Sequence, residues 1–379
     1  MAEMADMRRI PCVILRGGTS KGIFLKSNHL PQDKDLRDKV ILEIFGSPDV
    51  RQIDGLAGAD PLTSKVAIIG PSTHPGADVD YTFGQVSINT PYVDYSGNCG
   101  NISSGVGPFA IDEGYVAATG SLTTVRIHNT NTGKILVAEV PTEDGRAKVK
   151  GDCKIDGVPG TGAKIMMDFS GTAGSVTNKL LPTGNPVDTI QTSAGPLEIS
   201  IVDVSNPCVF VRAKDVGMTG GETPQEVNGN PKLLALMEEI RAQACVVIGM
   251  APDVATATAK SPAFPMVAFV APAMDYVDFT SGQTIRKDQI DFIARMMFMQ
   301  VLHKTYPGTG TACTGAAAKI PGTIVHEAIP HIDSLKIVRI GHPAGVIEIE
   351  AAFENGQLSR AAFARTARRI MEGYAFVRN

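Results

Sequence analysis

Asn98-Cys99-Gly100-Asn101 is the sharpest chemical feature of the sequence. A thiol at a helix start faces the positive end of the helix dipole and first-turn N–H groups with no intrahelical partner, which favours the thiolate. The same donors suit a carboxylate, so Gly100 and Asn101 are candidate ligand-binding positions too. A second cysteine has similar surroundings. Thr309-Gly310-Thr311-Ala312-Cys313-Thr314-Gly315 reads as a Gly/Thr-rich turn opening a helix of small residues, which puts Cys313, Thr314 and Gly315 at a helix start. Lys65 stands at the mouth of the apolar run 66–69. A lysine held against apolar surface loses stabilisation of its charge and can serve as a base near neutral pH.

Other candidates lie in turns. Thr19 and Ser20 form a Gly-flanked hydroxyl pair, Asn206-Pro207 interrupts a strand-like run, and Gly341-His342-Pro343 puts an imidazole among backbone amides with Arg339 two residues upstream as a partner for an acidic substrate. Several familiar sites are absent. Residues 17–22 have the glycine spacing of a phosphate loop, but Ile23-Phe24 stands where Lys-Ser/Thr is required, and Gly308-Thr309-Gly310 lacks the third glycine of a dinucleotide fingerprint. There is no nucleophile elbow. His326 and His331 are separated by Pro330 and share no helical face, so no metal site is expected; Met296, Met297 and Met299 read as core.

The elements that must hold these residues can be traced. Strands are expected at 10–15, 22–26, 66–69, 81–88 and 122–128, and helices at 35–45, 231–247 and 288–303. Hairpin turns are expected at Thr142-Glu143-Asp144-Gly145 and Glu354-Asn355-Gly356-Gln357. From Cys99 to Gly145 is 46 residues and from Cys313 to Gly356 is 43, which suggests a duplicated half.

Composition bounds the rest. The 379 residues carry a net charge of −4 with no basic cluster, which argues against a nucleic-acid partner. With 39 glycines, 24 prolines and no tryptophan, a helical bundle is disfavoured. No apolar run approaches the ~18 residues of a membrane helix. The six scattered cysteines and the lack of a secretory start point to a reduced, cytoplasmic protein.

These residues together resemble the diaminopimelate epimerase-like family, through the Cys-Gly-Asn helix start, the Asn-Pro strand break and the second cysteine turn. The similarity is closer to its non-amino-acid branch, the PrpF family of methylaconitate cis-trans isomerases, 4-oxalomesaconate tautomerases and methylitaconate Δ-isomerases. It is carried by Arg16-Gly17-Gly18-Thr19-Ser20-Lys21-Gly22, Gln52-Ile53-Asp54-Gly55, Phe83-Gly84-Gln85, Ser96-Gly97-Asn98-Cys99-Gly100-Asn101, Pro182-Thr183-Gly184-Asn185 and Gly341-His342-Pro343. Residues 54–65 look most like the methylitaconate Δ-isomerases.

The resemblance implies an α+β fold of two pseudo-symmetric domains, each a barrel-like sheet around a central helix. The expected domains are 1–182, completed by the tail 367–379, and 183–366, with the active site in the cleft between them. It implies catalytic Lys65 and Cys99, and a substrate site drawn from Thr19, Ser20, Ser64, Gly100, Asn101, Asn206, Cys313, Thr314, Gly315 and His342. The expected reaction is a cofactor-independent 1,3-proton shift that moves a C=C bond in a small unsaturated dicarboxylate, 3-methylitaconate to 2,3-dimethylmaleate. A 2-methylaconitate isomerase and a 4-oxalomesaconate tautomerase are the alternatives. A two-thiol epimerase using Cys99 and Cys313, and a non-catalytic accessory of an aconitase-like dehydratase, are the remaining readings. A homo-oligomer, dimer or tetramer, is expected.

Overall fold

Strand β1 (Met7–Gly17) turns through Gly18 and Thr19 into β2 (Ser20–Lys26), with Gly17 paired to Ser20. The computed structural model describes residues 6–378. After β2 comes α1 (Lys34–Phe45), started by the Asp33 carboxylate, which accepts from the Leu36 N–H, and stopped by Gly46 at φ 69°. Then follow β3 (Lys65–Pro71), β4 (Val79–Val86), β5 (Val93–Asp94), α2 (Gly100–Asp112), β6 (Leu122–Asn129) and β7 (Lys134–Glu143).

Burial on both faces explains the apolar strands. Ile23 and Leu25 of β2 and Val66 and Ile68 of β3 pack beneath Val40, Ile41, Ile44 and Phe45 of α1. The alternate residues face the other way, where Phe24 of β2 meets Phe109 of α2 at 5.6 Å between ring centroids. Lys65 has the parity of Ala67 and Ile69, so it shares the face opposite α1. Helix α2 is buried along nearly its whole length, and its small residues let strands close on it: a Cβ at Gly105 would collide with Leu15 and Phe24. The C-terminal strand Ala367–Arg378 pairs antiparallel with β1 from end to end.

The rest of the chain uses the same plan. Its main elements are β8 (Gly195–Val204), β9 (Asn206–Arg212), α3 (Pro231–Val247), β10 (Met266–Pro272), β11 (Phe292–Phe298), β12 (Val301–Leu302), α4 (Gly308–Ala318), β13 (Ile337–His342) and β14 (Gly345–Glu354). In the first set β1–β2 is antiparallel, β2–β3 parallel, β3–β4 antiparallel, β4–β6 parallel and β6–β7 antiparallel. In the second, β8–β9, β9–β10, β10–β11, β11–β13 and β13–β14 repeat that alternation in order. Each set also keeps a buried helix, α2 or α4, before its last hairpin.

Contacts divide the chain into two compact units. One holds the chain up to Lys154, Gly160–Met167 and the stretch from Arg365 on; the other holds Ile155–Pro159 and Asp168–Ala364. Residues 168–182, expected with the first half, belong to the second. The reason is local: Asp203 of β8 accepts hydrogen bonds from the backbone of Val176 and Thr177 and from the Thr177 hydroxyl, and Phe169 N–H donates to Ala361 O.

The expected helix at 288–303 is a strand hairpin. Phe292–Phe298 is buried at every position, a pattern a short apolar run cannot distinguish from a core helix. Met299 and Gln300, at φ 52° and 62°, form the tight turn that pairs Phe298 with Val301. Among the described residues no helix is long and apolar enough to cross a membrane.

Candidate active site

Lys65 and Cys99 meet inside the first unit. Lys65 is only 3% exposed, and its Nζ lies 3.1 Å from Gln85 Oε1 and 3.6 Å from Cys99 Sγ. Gln85 is the residue directly opposite Lys65 in the β3–β4 ladder, so the two side chains share a face. The Gln85 amide NH2 donates to Pro61 O and Ser64 O, which leaves Oε1 turned to the lysine. Two residues along β4, the Phe83 ring lies 5.5 Å from Nζ. Carbonyl oxygen and ring face both stabilise a cation, and they hold the amine against the sulfur.

Cys99 caps α2 in an extended conformation and makes no side-chain cap bond. Helices α1 and α3 differ, being capped by Asp33 and Asn230. The first-turn N–H groups of α2 are therefore left without a capping side chain. Asn98 Oδ1 fixes the approach by accepting from the Cys99 N–H at 2.7 Å and from the Ser103 hydroxyl at 3.1 Å.

Asn101 joins this start to the β1–β2 turn. Its Nδ2 donates to Thr19 Oγ1 at 3.1 Å, and its Oδ1 accepts from Arg365 Nε at 3.1 Å and, at 3.5 Å, from the Thr19 N–H. Gly18, at φ 52°, lies so close that a Cβ there would collide with Asn101 Oδ1. Burial pulls the Arg365 guanidinium down to about 9, partly offset by the neighbouring Cys153 and Cys99 sulfurs. The Ser20 hydroxyl is buried with no hydrogen-bond partner among the described residues. Ser64 is otherwise engaged: its hydroxyl donates to Gln52 Oε1 at 2.8 Å and ties down the loop before β3.

The second unit keeps the frame without the pair. Asn206, at the β8–β9 turn, donates through Nδ2 to Thr309 Oγ1 at 2.8 Å, which mirrors the Asn101–Thr19 bond with the two roles exchanged. Helix α4 starts at Gly308 after Pro307, again with no side-chain cap bond. Cys313, Thr314 and Gly315 are thus not at a helix start, contrary to expectation. They lie past its first turn: Cys313 donates to Val202 O at 3.1 Å, Thr314 Oγ1 is 3.0 Å from Tyr306 OH, and a Cβ at Gly315 would strike Ile349. The positional counterpart of Cys99 is Pro307, and Met266 opens β10 as Lys65 opens β3.

His342 is buried, accepts from the Ala344 N–H through Nδ1 and stacks on Tyr306 at 6.5 Å. Arg339 is an ion-pair partner of Asp291 at 2.7 Å rather than a free cation for substrate. Among the described residues no metal-ligating group of three His, Cys, Asp or Glu forms.

Gln85, Phe83 and Arg365 join the site although none is among the residues expected there. The first two could have been found from parity, since residues 81, 83 and 85 share the face opposite α1; Arg365 is 264 residues from Asn101 and has no local signal.

A two-fold repeated barrel whose cysteine opens the buried helix beside a strand-borne lysine defines a class, the diaminopimelate epimerase-like fold. A hydroxyproline epimerase from Agrobacterium vitis shares the fold alone, at 12% identity and TM-score 0.57 over 99% of this chain and 93% of that one. The chain matches the PrpF protein family over residues 7–378 and belongs to that family. It is 67% identical to the 3-methylitaconate isomerase of Eubacterium barkeri over 99% of this chain and 98% of that protein. A crystal structure of methylitaconate-delta-isomerase superposes with TM-score 0.83, at 67% identity, over 98% of this chain and 96% of that one.

Proposed function

We propose that the protein is a cofactor-independent isomerase that converts 3-methylitaconate to 2,3-dimethylmaleate, with Lys65 and Cys99 as its proton-handling pair. The observation that carries this reading is the 3.6 Å contact between Lys65 Nζ and Cys99 Sγ at the uncapped start of α2. The relatives of this chain supply the substrate.

In 3-methylitaconate the carbon bearing the methyl group is next to one carboxylate and next to the C=C bond. Loss of its proton gives an extended enediolate, and return of a proton to the terminal methylene gives the dimethylmaleate. A proton leaves and a proton returns, so no electron acceptor is consumed. Lys65 and Cys99 together hold either amine and thiol or ammonium and thiolate, both neutral overall. Taking up the substrate proton makes the pair cationic as the substrate gains a negative charge, so the two charges form side by side. The uncapped N–H groups of Gly100 and Asn101 favour an anion at the start of α2, and Asn101 holds the Arg365 guanidinium beside that start. Thr19 and Ser20 border it from the β1–β2 turn. The six free thiols suit a reducing, cytoplasmic setting.

Proton NMR of purified protein with 3-methylitaconate in deuterated buffer tests this. The expected result is deuterium in the new methyl group together with loss of the vinyl signals. Lys65→Ala should lower turnover by at least about a hundredfold while the dicarboxylate still binds. Normal turnover by that variant would remove Lys65 from the mechanism.

A further inference from the structure

Lys65 is held by an amide, and that amide is held by a loop. The Gln85 NH2 donates to two backbone carbonyls, Pro61 O at 3.1 Å and Ser64 O at 3.0 Å, while its Oε1 lies 3.1 Å from the lysine Nζ. Turned over, the amide would set its oxygen against those two carbonyls. The direction of Gln85 therefore depends on where the loop presents Pro61 and Ser64.

Those carbonyls have no secondary structure to fix them. Between α1 and β3, residues 46–64 form neither helix nor strand, and an irregular segment of that length inside a compact unit is uncommon and generally has a task. Gln52 ties it together from within. The residue is 2% exposed, and both ends of its side chain are bonded: Nε2 donates to Ser47 Oγ at 2.9 Å, while Oε1 accepts from the Ala59 N–H and from the Ser64 hydroxyl, each at 2.8 Å. Ala59 and Ser64 bracket Pro61 in the chain, so one side-chain oxygen pins both flanks of the turn that presents the carbonyls to Gln85. The backbone of Gln52 is itself held in the left-handed region, at φ 46°, which a side-chain-bearing residue adopts only where its surroundings over-determine it. Two neighbours seat the segment on the end of α1: Leu56 N–H donates to Ile44 O at 2.8 Å, and a Cβ at Gly55 would overlap the backbone of Phe45 and Gly46.

We propose that Gln52 is a positioning residue for Lys65: through Ala59 and Ser64 it fixes the carbonyls that orient the Gln85 amide, and through that amide it holds the amine against Cys99. Two glutamine side chains in series, each bonded at both ends, thus run from the residue after Gly46 to the reacting pair. The effect on turnover rests on the role given to Lys65 above. The position of the amine does not.

Gln52→Leu keeps most of the side-chain bulk and removes its three hydrogen bonds. The expected result is a fall in kcat of about tenfold to a hundredfold with KM within about twofold, since a reacting group displaced by about 1 Å loses that much. Gln52→Glu keeps the acceptor for Ala59 and Ser64, and the Ser47 hydroxyl can turn to donate to it, so kcat should return to within about threefold of the parent. A double-mutant cycle separates this role from general support of the fold. In a Gln85→Leu background, Gln52→Leu should lower kcat by no more than about twofold further, because its route to the lysine is already cut. Crystal structures of parent and Gln52→Leu read the position without turnover: Lys65 Nζ, 3.6 Å from Cys99 Sγ here, should lie about 1 Å or more further away. Should Gln52→Leu not fold, Ser64→Ala removes a single bond of the same chain and takes its place in the cycle and in the crystal. Losses that multiply in the cycle, or an amine that does not move, overturn the proposal. If the parent protein left methylitaconate unchanged, the isomerase reading would fall while the crystal structures still decided the role of Gln52.

Discussion

Gln85 stands directly opposite Lys65 in the β3–β4 ladder, with its Oε1 3.1 Å from the lysine Nζ. The pairing follows from register: a one-residue slip would turn both side chains to the face that packs on α1. The position of the lysine is thus set by the same strand pair that forms the wall of the unit.

Replacing Gln85 tests that coupling. Gln85→Leu removes the acceptor, and kcat should fall about tenfold to a hundredfold with little change in KM. Gln85→Glu puts a carboxylate beside the amine and favours the ammonium, so the neutral base appears only at higher pH. The acid limb of kcat/KM should therefore move up, by about one unit, which a pH–rate profile measures. An unmoved acid limb with the alkaline limb shifted upward would mean that Lys65 acts as the acid.

Cys313 separates the isomerase from a two-thiol epimerase. Its sulfur donates to Val202 O from within α4, and it is fully buried. Cys313→Ala should keep kcat/KM within about threefold while lowering the melting temperature by a few degrees, because a buried donor and its packing are lost. Cys99→Ala should abolish turnover. Equal damage from the two would restore the epimerase reading.

How much was legible follows from how local each signal is. The small residues of α2 and α4, the turn at Asn355 and Gly356, and the cysteine that opens α2 all show in stretches of a few residues. Failures arose where two structures share one local pattern. Residues 292–298 are apolar enough for either a core helix or a doubly buried strand, and the turn that decides is made by Met299 and Gln300, neither a usual left-handed residue. The start of α4 precedes the cysteine that the expectation uses as its marker; Pro307, which pre-sets the chain and has no N–H to satisfy, marks it. Arg365 was out of reach altogether, being delivered by a strand that only the tertiary fold brings to Asn101.

Arg365 itself gives the next expectation. A buried guanidinium beside Asn101 offers a planar donor set to a carboxylate, which a lysine cannot copy. Arg365→Lys should raise KM for methylitaconate about tenfold or more and lower kcat less, as seen in steady-state kinetics at saturating and limiting substrate. Monocarboxylate analogues, which lack one of the two anionic ends, should lose less. An unchanged KM would leave Arg365 with the sole task of holding Asn101.

Close approach of strand and helix makes the last test one of stability. Gly105 lies where a Cβ would press on Leu15 and Phe24, side chains that are themselves fully buried and cannot swing into solvent. Gly105→Ala gains helix propensity of about 1 kcal/mol, which at an open site would raise the melting temperature. Here overpacking opposes it by about 1–3 kcal/mol, so the net effect should be destabilising. The same push would shift α2 along its seat and move Cys99 relative to Lys65, so turnover should fall more than the loss of folded protein explains. Thermal melts and kcat measured on the same preparation separate the two effects. A variant with a raised melting temperature and full activity would mean that the strands around α2 can yield.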